Sequence, residues 1–133
     1  MTPRGIRNNN PLNIRHNRNN RWQGVYEQQT DPEFVRFASM QFGIRAGFVI
    51  ILNYIKQGHK DVASIISRWA PSSENNTDAY IRHVCELSGL SPFQELHFED
   101  KDKMVALVDA MIRVECGKPV DRNDIVKGYG MVW

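Results

Sequence analysis

The stretch MVALVDAMIRVECG, residues 104–117, constrains the fold of this chain more than any other. Laid out at about 100° per residue, Met104, Leu107, Val108 and Met111 fall on one stripe, with Val105 and Ile112 on its shoulder. Such a helix must bury its stripe against other apolar elements. Glu115 lands in the middle of that stripe, while Lys103, Asp109 and Arg113 point elsewhere and already supply the polar side. Gly117 and Pro119 predict the stop. A carboxylate at the last turn of a core-facing stripe is partly withdrawn from water and lies near the negative end of the helix dipole. Both effects oppose its ionised form, which is how proteins make a general acid near neutral pH. The same pattern also fits a Glu that reaches past the helix end to solvent or to an Arg, and spacing leaves both readings open.

With 133 residues, of which 41% are hydrophobic and 24% charged, residues 1–133 are expected to form one globular domain with a single core. The longest apolar stretch, around Phe48 to Leu52, is too short to cross a bilayer, and Pro3, Arg4 and Arg7 have no apolar run behind them. The expectation is therefore synthesis in the cytoplasm without a signal peptide, and no membrane as partner. Cys85 and Cys116 are too few for a disulfide framework. His16, His59, His83 and His97 are scattered, and none pairs with another ligand at i+3 or i+4, so no metal site is expected. Cys116 would need a facing His and an electropositive setting to act as a nucleophile, and its place beside the stripe suits a packed thiol. With no Gly-rich phosphate loop and no serine elbow, no cofactor is expected.

Charge is unevenly spread. The net value is +2, yet residues 1–26 hold Arg4, Arg7, Arg15, Arg18 and Arg21 with no acid. A basic arm suits a polyanion, either nucleic acid or the anionic bacterial envelope. It suits equally a loop-rich segment that its own Arg residues pack and hydrogen-bond.

Along the chain, RGIRNNNPLNIRHNRNNRW reads as an ordered loop region, anchored by Ile6, Leu12, Ile14 and Trp22. WQGVYE and FVRFAS flank the turn-like QQTDPE and predict a small antiparallel hairpin. FGIRAGFVIILNYIKQG predicts the central helix, with Ile44, Phe48, Ile51, Leu52 and Ile55 at helical spacing and Gly58 at its end. KDVASIISRWAP predicts a second helix closed by Pro71, and SENNTDAYIRHVCELSG a third closed by Gly89. SPFQEL predicts a short helical turn, and Asp121 a cap for a last short helix through Val126. The sum is mainly α with a small β-hairpin.

A second stretch, RWAPSSENNTDAYIRHV, brings aromatic rings and amides to one helix junction through Trp69, Asn75 and Tyr80. Aromatic faces stack on the apolar faces of sugar rings and amides bond their hydroxyls. Core packing and helix capping account for the same residues.

Three segments carry a resemblance. ENNTDAYIRHV resembles the tyrosine motif near the end of lytic transglycosylase domains, whose Tyr lies close to the catalytic acid. NNNPLNI resembles a segment that lines the cleft of bacterial N-acetylglucosaminidases and their lysozyme-like relatives. AMIRVECG resembles the end of the helix that carries the catalytic Glu in that superfamily. In the usual lysozyme-like domain the Glu helix comes first; here it comes last, the order a circular permutation produces. RGIRNNNP-NIR, W-G, D--F--F, GIRA, RWAP--EN-T--YI--V and AMIR-E-G are similar to phage and prophage virion proteins with this arrangement, over nearly the whole chain. Leu12 stands where those relatives commonly have Gly, and Cys116 where they commonly have Asn.

The resemblance implies a circularly permuted lysozyme-like fold and a peptidoglycan-degrading glycosidase, either a muramidase or a lytic transglycosylase. Glu115 would be the catalytic acid on the MurNAc-GlcNAc bond, and Tyr80 would orient it or the substrate. Asn9, Asn10 and Asn13 would bond acetamido groups or the backbone of the cleft wall, with Trp69 and Asn75 at the junction. Partners would be the glycan strands of the bacterial cell wall and other virion proteins. Asp31, Glu33, Asp121 and Asp124 are the acids from which a second carboxylate would come, and none sits in a recognisable motif. Two other classes fit less: a non-catalytic virion or wall-binding module, and a nucleic-acid binder using Arg4 to Arg21. The aromatics are not interleaved with that arm and the remainder is mildly acidic, which disfavours the last.

Overall fold

The amphipathic pattern around residue 110 becomes a helix with most of its length in the core. The computed structural model describes residues 2–133. Six helices are present among them: α1 (Arg4–Arg7), α2 (Met40–Lys56), α3 (Val62–Trp69), α4 (Thr77–Ser88), α5 (Lys101–Cys116) and α6 (Arg122–Gly130). The fold is mainly helical.

Each longer helix begins where a side chain can satisfy its unpaired N–H groups. Ser39 caps α2 and Asn76 caps α4, while Asp61 and Ser64 form a reciprocal capping box on α3. Asp100 and Asp121 cap α5 and α6. Gly89 and Gly117, with φ of 77° and 75°, end α4 and α5 in the left-handed conformation. From α5, Met104, Val105, Leu107, Val108, Ala110, Met111 and Ile112 are all buried. They join Ile44, Phe48 and Ile51 of α2 and Ile125 of α6 in one cluster. Phe48 and Tyr129 meet edge-on with ring centroids 5.3 Å apart, and the Tyr129 hydroxyl donates to the Phe98 carbonyl at 2.8 Å.

The expected hairpin is reduced to one isolated antiparallel bridge, Val25 with Phe37, flanked by backbone bonds from Tyr26 to Arg36 and from Ala38 to Gly24; a second bridge, Arg15 with Phe34, pairs the N-terminal segment with the start of FVRFAS instead. Side chains take over the ladder. The Gln29 amide accepts from Arg36 N–H at 2.8 Å and donates to the Tyr26 and Arg36 carbonyls at 2.6 and 2.8 Å. Asp31 accepts from the N–H groups of Glu33 and Phe34. The residues expected to continue strand pairing are thus satisfied locally. SPFQEL forms turns rather than a helical turn, RGIR forms the one-turn α1 inside the expected loop, and α6 runs past Val126 to Gly130.

The N-terminal arm, residues 8–14, lies along α2 because Gly43 and Gly47 leave room for it. A Cβ at Gly43 would overlap the carbonyl oxygen of Asn9, and one at Gly47 would overlap the side chain of Leu12. Asn10 holds the arm from within. Fully buried, it donates to the Ile14 and Val35 carbonyls at 2.9 and 2.8 Å and accepts from Ile14 N–H at 2.9 Å. At the other end Asp31 takes Arg4 in a two-pronged pair at 2.5 and 2.6 Å and Asn8 at 3.0 Å. The Arg4 bonds, followed by those from Phe34, Glu33 and Asn8, hold the Asp31 carboxyl well below the usual carboxylate range despite the opposing cost of burial.

Gly43→Ala should therefore destabilise the protein by about 1–3 kcal/mol, the usual cost of overpacking. Gly130→Ala, whose Cβ would meet nothing within 4 Å, should stay within about 0.5 kcal/mol of the parent. Chemical denaturation of the two variants beside the parent checks this.

Candidate functional site

The arm, the inner turn of α2 and the end of α3 enclose a groove of about 680 Å³, with Glu115 among its lining residues. Ile50 and Tyr54 of α2 form one part of its wall, Trp69 and Ala70 another, and Asn13 and Ile14 of the arm with Arg15 to Asn17 just after it a third. Glu115 reaches it because α5 stops two residues later, at Gly117.

The half-buried Glu115 carboxylate accepts three side-chain hydrogen bonds, from Asn13 Nδ2 to Oε1 at 3.1 Å, from Trp69 Nε1 to Oε2 at 3.4 Å and from the Tyr80 hydroxyl to Oε2 at 2.8 Å. All three donors are neutral. No Lys or Arg pairs with Glu115 among the described residues. A guanidinium partner would tie such a group to its ionised form. Amide, indole and phenol donors fix the direction of both oxygens without adding a charge.

The three donors come from separate segments, and each is positioned locally. Asn13 sits at φ 53°, in the left-handed region that Asn tolerates better than most residues. Gly5 of α1 lets it approach the end of α5. A Cβ there would lie 2.8 Å from the Asn10 carbonyl oxygen, 2.9 Å from Asn13 Oδ1 and 3.0 Å from Cys116 Sγ. Trp69 is the last residue of α3 and Tyr80 lies in the first turn of α4. The buried Thr77 hydroxyl donates to the Ala70 carbonyl, which draws the two helix ends together. Tyr80 is itself buried; burial first, then the charge of Glu115 and the hydrogen bond to it, push its phenol well above the ordinary range. Tyr80 therefore remains an O–H donor at any physiological pH.

Cys116 braces the same junction. Its Sγ donates to the Pro11 carbonyl at 3.1 Å. Burial, then the Glu115 charge, push its thiol up to about 11, with Lys118 opposing. A thiol in that state is a poor nucleophile at neutral pH.

Glu115, Tyr80, Asn13 and Trp69 are thus brought to one place. Trp69 lines the groove itself. Asn75 also lines the groove, on the loop after α3, where its amide donates to the Pro71 carbonyl at 3.2 Å. Asn9 and Asn10 are not there. The Asn10 amide is spent on the backbone as described above, and Asn9 donates to the Phe37 carbonyl at 3.1 Å. Both brace the arm, so of the two roles expected for them, bonding acetamido groups or the backbone, they take the backbone one, and neither lines the groove. The four acids considered as a second carboxylate are also accounted for elsewhere. Asp31 holds Arg4, Glu33 pairs with Arg4 and Arg15, Asp121 caps α6 and Asp124 accepts from Gln41 at 2.8 Å.

Sequence reasoning missed Glu74, which lines the groove from the loop between α3 and α4. The available signal was its place between Trp69 and Tyr80, in a stretch read for its rings and amides. Arg15 and His16 also line the groove, together with Asn17 and Asn20. Among the described residues no cluster of three or more His, Cys, Asp or Glu could hold a metal ion, and no helix is long and apolar enough to cross a membrane.

No family model matches the sequence. Over 130 residues, covering 95% of this chain and 79% of the relative, it is 40% identical to Protein P5 of Pseudoalteromonas phage PM2.

Alkylation reads the state of Cys116 directly. In a Cys85→Ala background, iodoacetamide should label Cys116 slowly at pH 8, with a rate that climbs toward a midpoint near pH 11. Fast labelling at pH 7 would show a thiolate and contradict the geometry.

Proposed function

The chain belongs to the family of Protein P5 of Pseudoalteromonas phage PM2, and from that premise we propose that it is a phage protein that cleaves the glycan backbone of peptidoglycan, with Glu115 as general acid. The observation that carries this reading is the Glu115 carboxylate, held in a groove by three neutral donors from three segments. The fold is read as lysozyme-like with its Glu helix moved to the end of the chain, and the protein as part of the virion or delivered to the wall with it. The groove suits a sugar polymer. Trp69, Tyr54 and Phe34 offer ring surface, and Asn13, Asn17, Asn20 and Asn75 offer amides. Arg15 and His16 at the same groove suit a wall polymer that carries acidic stems.

In this reading Glu115 gives its proton to the oxygen between N-acetylmuramic acid and N-acetylglucosamine as positive charge develops at the anomeric carbon. Tyr80 and Trp69 fix Oε2, and Asn13 fixes Oε1 and the position of the arm that closes the groove. Loss of the proton leaves a carboxylate that the three N–H and O–H donors stabilise. Asn13 and Tyr80 are positioning residues that act through Glu115.

Purified peptidoglycan digested with the parent and with Glu115→Gln tests this reading, with mass analysis of released fragments. The parent should release fragments, and the variant should lose about 10²–10⁴-fold in rate while keeping its thermal midpoint within a few degrees. Equal release by both proteins would remove Glu115 as the acid. Binding without release by both would favour a non-catalytic wall-binding module.

A further inference from the structure

Protonating the glycosidic oxygen is half of the reaction, because a nucleophile must also reach the anomeric carbon. An inverting hydrolase places a second carboxylate across the cleft to take a proton from water. A transglycosylase uses the sugar's own 6-hydroxyl and needs no second acid. Glu74 and Glu115 are the two carboxylates lining the groove.

Glu74 is exposed and no Lys or Arg pairs with it among the described residues. Its placement is nonetheless fixed. Its N–H donates to the Pro71 carbonyl at 3.1 Å, the neighbouring Asn75 amide donates to the same oxygen at 3.2 Å, and Asn76 begins α4 as its cap. The loop leaves α3 just after Trp69 and enters α4 just before Tyr80, the two residues that hold Glu115 Oε2. The Thr77 to Ala70 bond closes the base of that loop, next to the two helix ends that carry Trp69 and Tyr80. The acids that sequence offered for this role are all engaged elsewhere, and Glu74 alone shares the groove.

We propose that Glu74 is the base that activates the attacking water, which makes the reaction a hydrolysis; this rests on the reading of Glu115 as the acid. The water oxygen bonds to the anomeric carbon as one of its protons passes to a Glu74 oxygen. The bond from that carbon to the glycosidic oxygen breaks, its electron pair stays on the oxygen, and the Glu115 proton completes the new hydroxyl. The product is a hydrated reducing end. Both carboxyls then return to their starting states by exchange of one proton with solvent.

The test digests purified peptidoglycan in ¹⁸O-water with the parent, Glu115→Gln, Glu74→Gln, and Glu74→Ala with and without sodium azide. The parent should give reducing ends carrying ¹⁸O. Glu74→Gln should release fragments at least about 100-fold more slowly with an unchanged thermal midpoint, since the Glu74 side chain holds nothing in the fold. Azide should restore release by Glu74→Ala and appear at the anomeric carbon, a rescue that a merely structural residue would not show. Anhydro ends from the parent, or undiminished release by both Glu74 variants, would overturn the role of Glu74 and leave Glu115 standing. No release by the parent would overturn the glycosidase reading and this inference with it, and full release by Glu115→Gln would remove Glu115 as the acid and with it the reading on which Glu74 rests.

Discussion

Asn13 and Glu115 lie 102 residues apart and meet through a hydrogen bond of 3.1 Å. Bringing such distant segments together costs chain entropy, and a single amide contact returns only about 1–3 kcal/mol. The contact therefore has to be imposed by something stronger, which is the docking of the N-terminal arm. Leu12 and Ile14 bury apolar side chains, Asn10 replaces the backbone partners that a sheet would supply, and Gly43 and Gly47 let main chain and Leu12 approach α2 closely. Without the arm, Glu115 would lose its Oε1 partner and the groove one wall.

The same arm explains where the basic charge goes. Arg4 is held by Asp31 and Glu33, and Arg15 by Glu33, while both guanidiniums stack near the Phe34 ring at 4.6 and 5.1 Å. Part of the apparent polyanion surface is thus internal bracing, the alternative that composition left open. Arg15 keeps most of its side chain in solvent, at 69% exposure, so the groove mouth retains positive charge after the arm is built. One residue can brace the arm and still present charge at the groove because a guanidinium can bond a carboxylate at one edge while its remaining donors stay available.

Much of the helical frame was legible. Residues 42–58, 60–71, 73–89 and 104–117 carry both apolar periodicity and capping or stop residues, and two independent signals on one segment rarely mislead. What escaped the sequence depended on side chains replacing backbone. Gln29 and Asp31 satisfy the groups that a hairpin ladder would have paired, and nothing in their spacing announces that. Asn9, Asn10 and Asn13 are indistinguishable by type, yet one turns to a distant carboxylate and two turn to the arm's own frame. Glu115 could be singled out because an acid on an apolar stripe is an inconsistency. Glu74 could not, because an acid in a polar loop is unremarked until the fold puts it in a groove.

The chemistry of the site follows from keeping fixed charge away from one carboxylate. Arg4, Arg15 and Arg113 have acidic partners elsewhere, and no Lys or Arg forms an ion pair with Glu115 among the described residues. Its partners are instead groups whose own protons stay put. The Tyr80 phenol is pushed up by burial and by Glu115 itself, the Cys116 thiol is pushed up to about 11 by the same two causes, and amide and indole N–H groups do not titrate in water's range. A second carboxylate serves such a site best when it is exposed, unpaired and fixed by its backbone rather than by its side chain, because its oxygens must be free to meet water. Glu74 satisfies those conditions through the Pro71 turn and the closed loop between α3 and α4.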